Sequence, residues 1–163
     1  MMKKLLLFAV ILTSTLSYAQ KKVTIKGGTV VPVSSTRNVR AANVEVGQNL
    51  DFRVERDVLV DGIVAIPVGT IVKGQVYEAK RSTAFGTKGR LGIQLKYLNL
   101  PSGDTVNFSS SNIYIQGQNR TAISVIVFLC TCLPFPCGSR AELKAGMEYE
   151  AIVGSNTTVN IEE

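Results

Sequence analysis

The sequence predicts an all-β protein, a single small barrel or sandwich of antiparallel strands after an N-terminal signal peptide. Two observations carry this prediction. Between residues 20 and 120, short β-prone runs alternate apolar and polar side chains with a period of two. Gly, Pro, Asn and Ser separate these runs, as they do in turns between consecutive strands. We therefore expect about seven to nine strands in the exported portion.

The first residues form a pattern typical of a secretory signal peptide. Two lysines precede a mainly apolar run over residues 5–16, and Ser17 and Ala19 occupy the two positions that a signal peptidase recognises. This run is shorter than the about 20 apolar residues of a membrane-spanning helix. We expect residues 1–19 to be removed and residues 20–163 to fold as one β domain. The expected location is the periplasm, the outer-membrane periphery or the extracellular space.

The absence of histidine narrows the chemistry that this chain can perform. It excludes serine or cysteine nucleophiles paired with an imidazole, HExxH metal sites and histidine proton shuttles. The net charge of +6 includes Lys3 and Lys4 of the predicted signal peptide, so the mild basic excess does not indicate a nucleic-acid partner. We expect no catalytic residue, no cofactor and no metal site.

Several runs can be assigned to individual strands. Residues 44–46, 50–55 and 58–60 each have the composition and the apolar content of a short strand. An Asp-Gly pair at positions 61–62 then predicts a hairpin between Val58–Val60 and Ile63–Ile66, because both central positions of a type I′ turn need a positive φ. Further strands are predicted over residues 71–79, 90–98, 105–108 and 112–116.

The segment between two of these strands is basic and rich in glycine. Residues 71–79 and 90–98 are expected to form a long hairpin whose tip carries Lys80, Arg81, Lys88 and Arg90. Clustered ammonium and guanidinium groups attract anions, so these four residues are the candidate anion-binding site, with an anionic envelope polymer or a lipid headgroup as ligand. The alternative is a solvated hairpin tip without a binding role.

A short turn pattern recurs along the chain. Residues 66–70 lead through a glycine into a strand, and residues 143–147 do the same, with a related glycine at position 28. Two interpretations stay open: a duplicated strand-turn-strand unit, or the chance recurrence of a common turn in an all-β chain.

Residues 122–136 differ from the rest because they contain no charge and hardly alternate. Three interpretations remain: a buried core strand, an interfacial or membrane-dipping loop, or an apolar surface that docks a partner. For membrane or partner docking, the candidate residues are Val125, Val127, Phe128 and Leu129.

All three cysteines, Cys130, Cys132 and Cys137, lie near the end of that segment. In an oxidising compartment, one disulfide with a leftover thiol is the ordinary expectation. Cys137 can pair with Cys130 or Cys132, whereas Cys130 and Cys132 are too close along a strand to bridge without distortion. Buried thiols, redox chemistry and metal binding are the alternatives.

The turn-and-strand pattern resembles a known family. An apolar-Pro-x-Gly-Thr turn at residues 66–70 enters a strand, a second strand begins at Arg90-Leu91, and a Pro-x-Gly turn follows at residues 101–103. This order resembles the periplasmic β-barrel domain of scaffold proteins from type IV secretion and conjugation channels. It also resembles small exported proteins of bacterial envelopes. The resemblance implies a β-barrel fold and an envelope location.

Together these observations favour a non-enzymatic exported envelope protein, a structural or interaction module that binds another envelope component. The expected partners are an envelope protein, a membrane surface or an anionic envelope polymer. The alternatives are a small secreted enzyme that uses carboxylate or cysteine chemistry and a membrane-docked assembly factor that acts through residues 122–136.

Overall fold

The computed structural model describes residues 21–83, 87–109, 111–117 and 139–161. Within these ranges the chain forms thirteen β-strands and no helix, which confirms the predicted all-β class. In chain order the strands are β1 Lys21–Ile25, β2 Val30–Ser35, β3 Val39–Arg40, β4 Asn49–Val54, β5 Val58–Val60, β6 Ile63–Ile66, β7 Ile71–Lys80, β8 Arg90–Asn99, β9 Thr105–Asn107, β10 Asn112–Gln116, β11 Glu142–Leu143, β12 Glu148–Ile152 and β13 Thr157–Ile161.

Seven of the strands form one antiparallel sheet. Its order is β10-β8-β7-β4-β2-β12, and β9 pairs with β8 on the same edge as β10. The alternation predicted for these runs is visible in β4, where Leu50, Phe52 and Val54 are buried and the residues between them are exposed. One face of the sheet therefore packs on the core and the other faces solvent.

Hydrogen bonds join the two ends of this sheet. Phe108 and Val153 form an antiparallel bridge between the β9–β10 edge and the end of β12. Beside it, Ser109 donates its N–H to the carbonyl of Ile152 (2.9 Å). Ser111 is buried, and its Oγ accepts a bond from the N–H of Ile152 (2.7 Å). The sheet thus curls into a barrel-like structure, the first of the two architectures that the sequence left open.

Three two-stranded sheets complete the described fold: β1 with β13, β3 with β11, and β5 with β6. The last of these is the predicted hairpin, and it is confirmed. Asp61 has a φ of 53° and Gly62 a φ of 79°, as a turn with two left-handed residues requires. The described residues form more strands than expected, since β1, β3, β11 and β13 were not assigned from the sequence; β3 and β11 span only two residues, too few to show alternation.

One turn geometry occurs four times in the described parts of the chain. In each copy a glycine with positive φ donates its N–H to a carbonyl of a neighbouring strand, and the residue after the glycine accepts a bond from that strand. The turns precede β2, β4, β7 and β12. The turns before β2 and β12 each bond to the chain at the end of the other strand, and the turns before β4 and β7 bond to β7 and β4 in the same way. The glycines and the residues they contact are Gly28 with Val153, Gly47 with Val76, Gly69 with Val54, and Gly146 with Ser35.

The predicted echo between residues 66–70 and 143–147 is therefore a shared turn structure. It extends to position 28, as the sequence indicated, and to Gly47, where the sequence showed no match. The prediction of a strand over residues 44–46 is wrong. These residues belong instead to the turn that precedes β4. In this turn Gln48 donates its N–H to the carbonyl of Glu45 (3.2 Å).

Candidate anion-binding site at the basic end

The structure places the four predicted anion-binding residues in different surroundings. Lys80 and Arg90 are register partners at the ends of β7 and β8, so they belong to the strands rather than to a hairpin tip. Arg90 forms an ion pair with Glu78 (3.6 Å), and Lys88 donates a bond to Oε1 of Gln116 (2.6 Å). The fourth residue, Arg81, lies apart from these pairs.

Arg81 instead lines a cleft with two arginines that the sequence did not single out. Arg40, Arg81 and Arg140 lie around a cleft of about 240 Å³ whose remaining walls are small or polar. All three side chains are exposed. The other lining residues are Ala41, Ala42, Asn43, Ser82 and Ala141.

Backbone hydrogen bonds bring these distant parts of the chain together. Ala41 donates its N–H to the carbonyl of Ala141 (3.1 Å), and Gly89 donates its N–H to the carbonyl of Ser139 (3.1 Å). Residues 139–141 therefore link the strand that carries Arg40 to the start of β8. We call this region the basic end; its basic residues are Arg40, Lys80, Arg81, Lys88, Arg90 and Arg140.

The acidic groups at the basic end are already engaged. Glu142 pairs with Arg40 (3.2 Å) and Glu78 pairs with Arg90. Within the described ranges, Lys80, Arg81 and Arg140 have no ion-pair partner. Positive charge therefore exceeds negative charge around the cleft, and planar guanidinium groups can each donate two bonds to a carboxylate or phosphate.

Comparison with known proteins identifies a similar solved structure. No protein-family model and no curated protein matches this sequence. The chain is similar to the solved structure of ComB10 of the Com type IV secretion system of Helicobacter pylori. That match has a TM-score of 0.46 and 13% identity, and it covers 82% of this chain and 88% of that chain. ComB10 and the family that the turn-and-strand pattern resembles both come from type IV secretion systems.

Three of the sequence predictions lie outside the described residues. They are the signal peptide at residues 1–19, the cysteines Cys130, Cys132 and Cys137, and the apolar segment 122–136 with Val125, Val127, Phe128 and Leu129. The residues that flank positions 118–138, Gly117 and Ser139, are both described. Gly117 has no room for a side chain because the backbone of Ser139 lies against it, so both residues belong to the basic end.

A second surface near the basic end was missed at the sequence level. Tyr77 and Tyr114 lie on the outer face of the sheet, both 45% exposed, on either side of Gly92. Burial raises the pKa of Tyr77, and the neighbouring Glu78 and Tyr114 raise it further. A glycine inside a predicted strand is a sign of close backbone approach, and Gly92 was the signal that could have revealed this surface.

The described residues contain no group of three or more metal-ligating side chains. No helix in this part of the chain has the length and apolar character needed to cross a membrane.

Proposed function

We propose that this chain is a non-enzymatic exported envelope protein, an interaction module whose basic end binds an anionic component of the envelope. The observation that supports the proposal is the convergence of Arg40, Arg81 and Arg140 on one cleft. The three residues come from different parts of the chain, and two of them have no ion-pair partner among the described residues.

The physical argument concerns the cost of holding like charges together. Guanidinium groups that share a cleft repel each other, and an anion bound between them removes that repulsion while it accepts charge-assisted hydrogen bonds. Glu142 partly neutralises the charge of Arg40. An anionic ligand should therefore stabilise Arg81 and Arg140 more than Arg40. A carboxylate or a phosphate fits the planar donors of both side chains.

The test compares two double variants of the mature chain for binding to polyglutamate at low salt. Arg81→Ser with Arg140→Ser removes two charges at the cleft. Arg56→Ser with Lys96→Ser removes the same charge from exposed positions outside the basic end. We expect the cleft variant to bind about fivefold to tenfold more weakly than the control variant. Equal loss in both variants would show that only net charge matters and would contradict the proposal.

A second candidate is membrane docking through residues 122–136, supported by one observation. Residues 121–139 carry no charge, and the two described residues that flank positions 118–138, Gly117 and Ser139, are in contact at the basic end. An apolar segment joined to a basic surface suits a membrane of anionic lipids.

This second candidate is tested by fractionating cells that express the wild type or Val125→Ser with Phe128→Ser. Membrane docking predicts that the double variant moves from the membrane pool to the soluble pool with its β-sheet circular dichroism intact. Unfolding of the variant would favour the interpretation of the segment as core.

A further inference from the structure

The ring of Tyr77 lies with one face against the sheet and the other toward solvent. A β-carbon built on Gly92 would stand 2.5 Å from Cζ, 2.6 Å from Cε2 and 2.9 Å from Oη of Tyr77. With the standard geometry of a phenol, these distances to Cζ, Cε2 and Oη place the point above the ring plane. The phenol is therefore stacked on the backbone of Gly92, and its opposite face accounts for the 45% exposure of this residue.

A β-bulge puts this ring in place. The register of β7 against β8 shifts between Val76 and Glu78, so Tyr77 is the extra residue of the bulge. A bulge breaks the strict alternation of a strand. Here the carboxylate of Glu78 also reaches Arg90 of the outer face, so Tyr77 and Glu78 serve the same side of the sheet.

The tyrosines lie between a row of three amides and a row that contains two basic residues. On one side, Gln75, Gln94 and Asn112 are register partners across β7, β8 and β10. On the other side, Lys80, Arg90 and Gln116 are register partners across the same strands. Along β8 and β10, each row lies two residues from Gly92 and Tyr114, about 7 Å along the strands.

From this arrangement we propose that the outer face at Tyr77 and Tyr114 binds an acidic oligosaccharide, a chain of pyranose rings that carry carboxylates. The inference rests on the proposed function and names the chemical class of the anionic partner. A sugar ring stacks on the exposed face of Tyr77, its hydroxyls bond to the amides of Gln94 and Asn112, and its carboxylate pairs with Lys80.

Each contact follows from the chemistry of the groups. The face of an aromatic ring carries partial negative charge and attracts the polarised C–H bonds on the flat side of a pyranose. An amide offers both donors and an acceptor, which suits a hydroxyl. Within the described ranges, the side chains of Gln94 and Asn112 make no hydrogen bond, and Lys80 has no ion-pair partner. A peptide polyanion would use Lys80 but would leave the ring and the amides without a role.

The experiment measures binding of three probes to the full mature chain by calorimetry: oligogalacturonate, the uncharged maltohexaose, and polyglutamate. Tyr77→Ala removes the ring, and Tyr77→Phe keeps the ring while it removes the hydroxyl. Tyr97→Ala is the matched control, because Tyr97 is an exposed tyrosine on the same face of β8 away from the amide row. Thermal unfolding of each variant verifies that the fold is retained.

We expect Tyr77→Ala to weaken oligogalacturonate binding by about fivefold and to leave polyglutamate binding unchanged. Tyr77→Phe should bind oligogalacturonate within about twofold of the wild type, because stacking needs only the ring. Tyr97→Ala should do the same, because Tyr97 lies away from the amide row. Maltohexaose should bind more weakly than oligogalacturonate, since it has no carboxylate for Lys80.

The outcomes separate this inference from the proposed function. If Tyr77→Ala binds oligogalacturonate as the wild type does, the saccharide platform is refuted, while loss of polyglutamate binding in the arginine variant would still support an anionic partner. If the wild type binds neither polyanion, the proposed function itself is wrong, and the saccharide inference falls with it. Asn112→Ala, which removes an amide assigned to the sugar hydroxyls, provides a second variant should Tyr77→Ala not fold, and unchanged affinity in that variant would likewise overturn the inference.

Discussion

Gly74 packs against Cε2 of the Phe52 ring in the core of the curled sheet. A β-carbon at position 74 would stand 3.0 Å from Cε2 of Phe52, and 3.2 and 3.3 Å from methyl groups of Ile93 and Leu95. Phe52 is fully buried on β4, the neighbour of β7 in the sheet. The absence of a side chain at position 74 therefore makes room for the largest apolar side chain of the core.

We predict that Gly74→Ala destabilises the fold by about 1–3 kcal/mol, because the added methyl group overpacks a core that has little room to relax. Chemical denaturation of the wild type and the variant measures the change. Adding Phe52→Leu to Gly74→Ala should recover part of the loss, since the smaller side chain frees the space that the methyl group needs. A Gly74→Ala variant as stable as the wild type would show that this contact is not tight.

The recurring turns depend on backbone conformation rather than on space. Gly69 has a φ of +84°, and a β-carbon there would meet no atom within 4 Å. We predict that Gly69→Ala costs about 1–2 kcal/mol through the left-handed conformation alone. Gly69→Asn should cost less than Gly69→Ala, because asparagine tolerates positive φ better. Equal costs for the two substitutions, measured by urea unfolding, would indicate a steric origin instead.

The closure of the sheet depends on a buried hydroxyl. Ser111 Oγ accepts the N–H of Ile152 (2.7 Å) at the point where β12 meets the β9–β10 edge. We predict that Ser111→Ala lowers the free energy of unfolding by about 1–3 kcal/mol, since the N–H of Ile152 loses its partner in a partly buried place.

The matched control for Ser111→Ala is Thr105→Ala, which removes an exposed hydroxyl that bonds to Asn99 on the same edge. This control should change the stability by less than about 0.5 kcal/mol. Hydrogen exchange at the amide of Ile152 gives a second readout. Unchanged protection of that amide in Ser111→Ala would contradict the assigned role.

The tyrosine surface makes stability sensitive to alkaline pH. The pKa of Tyr77 in the folded protein is raised above its ordinary value of 10.0, first by burial and then by Glu78 and Tyr114. The stabilisation from a neutral Tyr77 is therefore fully present below pH 10 and is lost as the pH rises through the folded-state pKa.

Phenolate absorbance during alkaline titration tests this prediction. Tyr77→Phe should remove one phenol whose pKa lies above the ordinary value. The free energy of unfolding of this variant should decline less steeply than that of the wild type as the pH rises above 10. Tyr149→Phe is the comparison variant, because burial alone raises the pKa of Tyr149. If Tyr77→Phe removes a phenol with an ordinary pKa, the stacking of this ring on Gly92 is not supported.

Local patterns in the sequence were sufficient to predict the long strands and one turn. The hairpin from β5 to β6 follows from Asp61-Gly62, because the conformational preferences of these two residues are local and do not depend on the rest of the fold. The long strands β7 and β8 were predicted to within a residue or two for the same reason, since their alternation directly reflects one buried and one solvated face.

The candidate site could be predicted only in part. Arg81 was identified from a local run of basic residues, but the run did not show that Lys88 and Arg90 have neighbours that engage them. Nor did it show that Arg40 and Arg140 approach Arg81. Long-range pairing of β3 with β11 brings Arg140 and Arg40 together, and two-residue strands leave no alternation to detect.

The amino-acid sequence by itself determined the all-β class, the positions of the long strands and the hairpin at residues 61–62, because side-chain periodicity and turn preference act over a few neighbouring residues. Only the tertiary structure decided that the sheet closes on itself, that three distant arginines share a cleft, and that Tyr77 lies on Gly92. These features depend on register, bulges and contacts between residues far apart in the chain, and such contacts are set by how the whole sheet curls rather than by any local run.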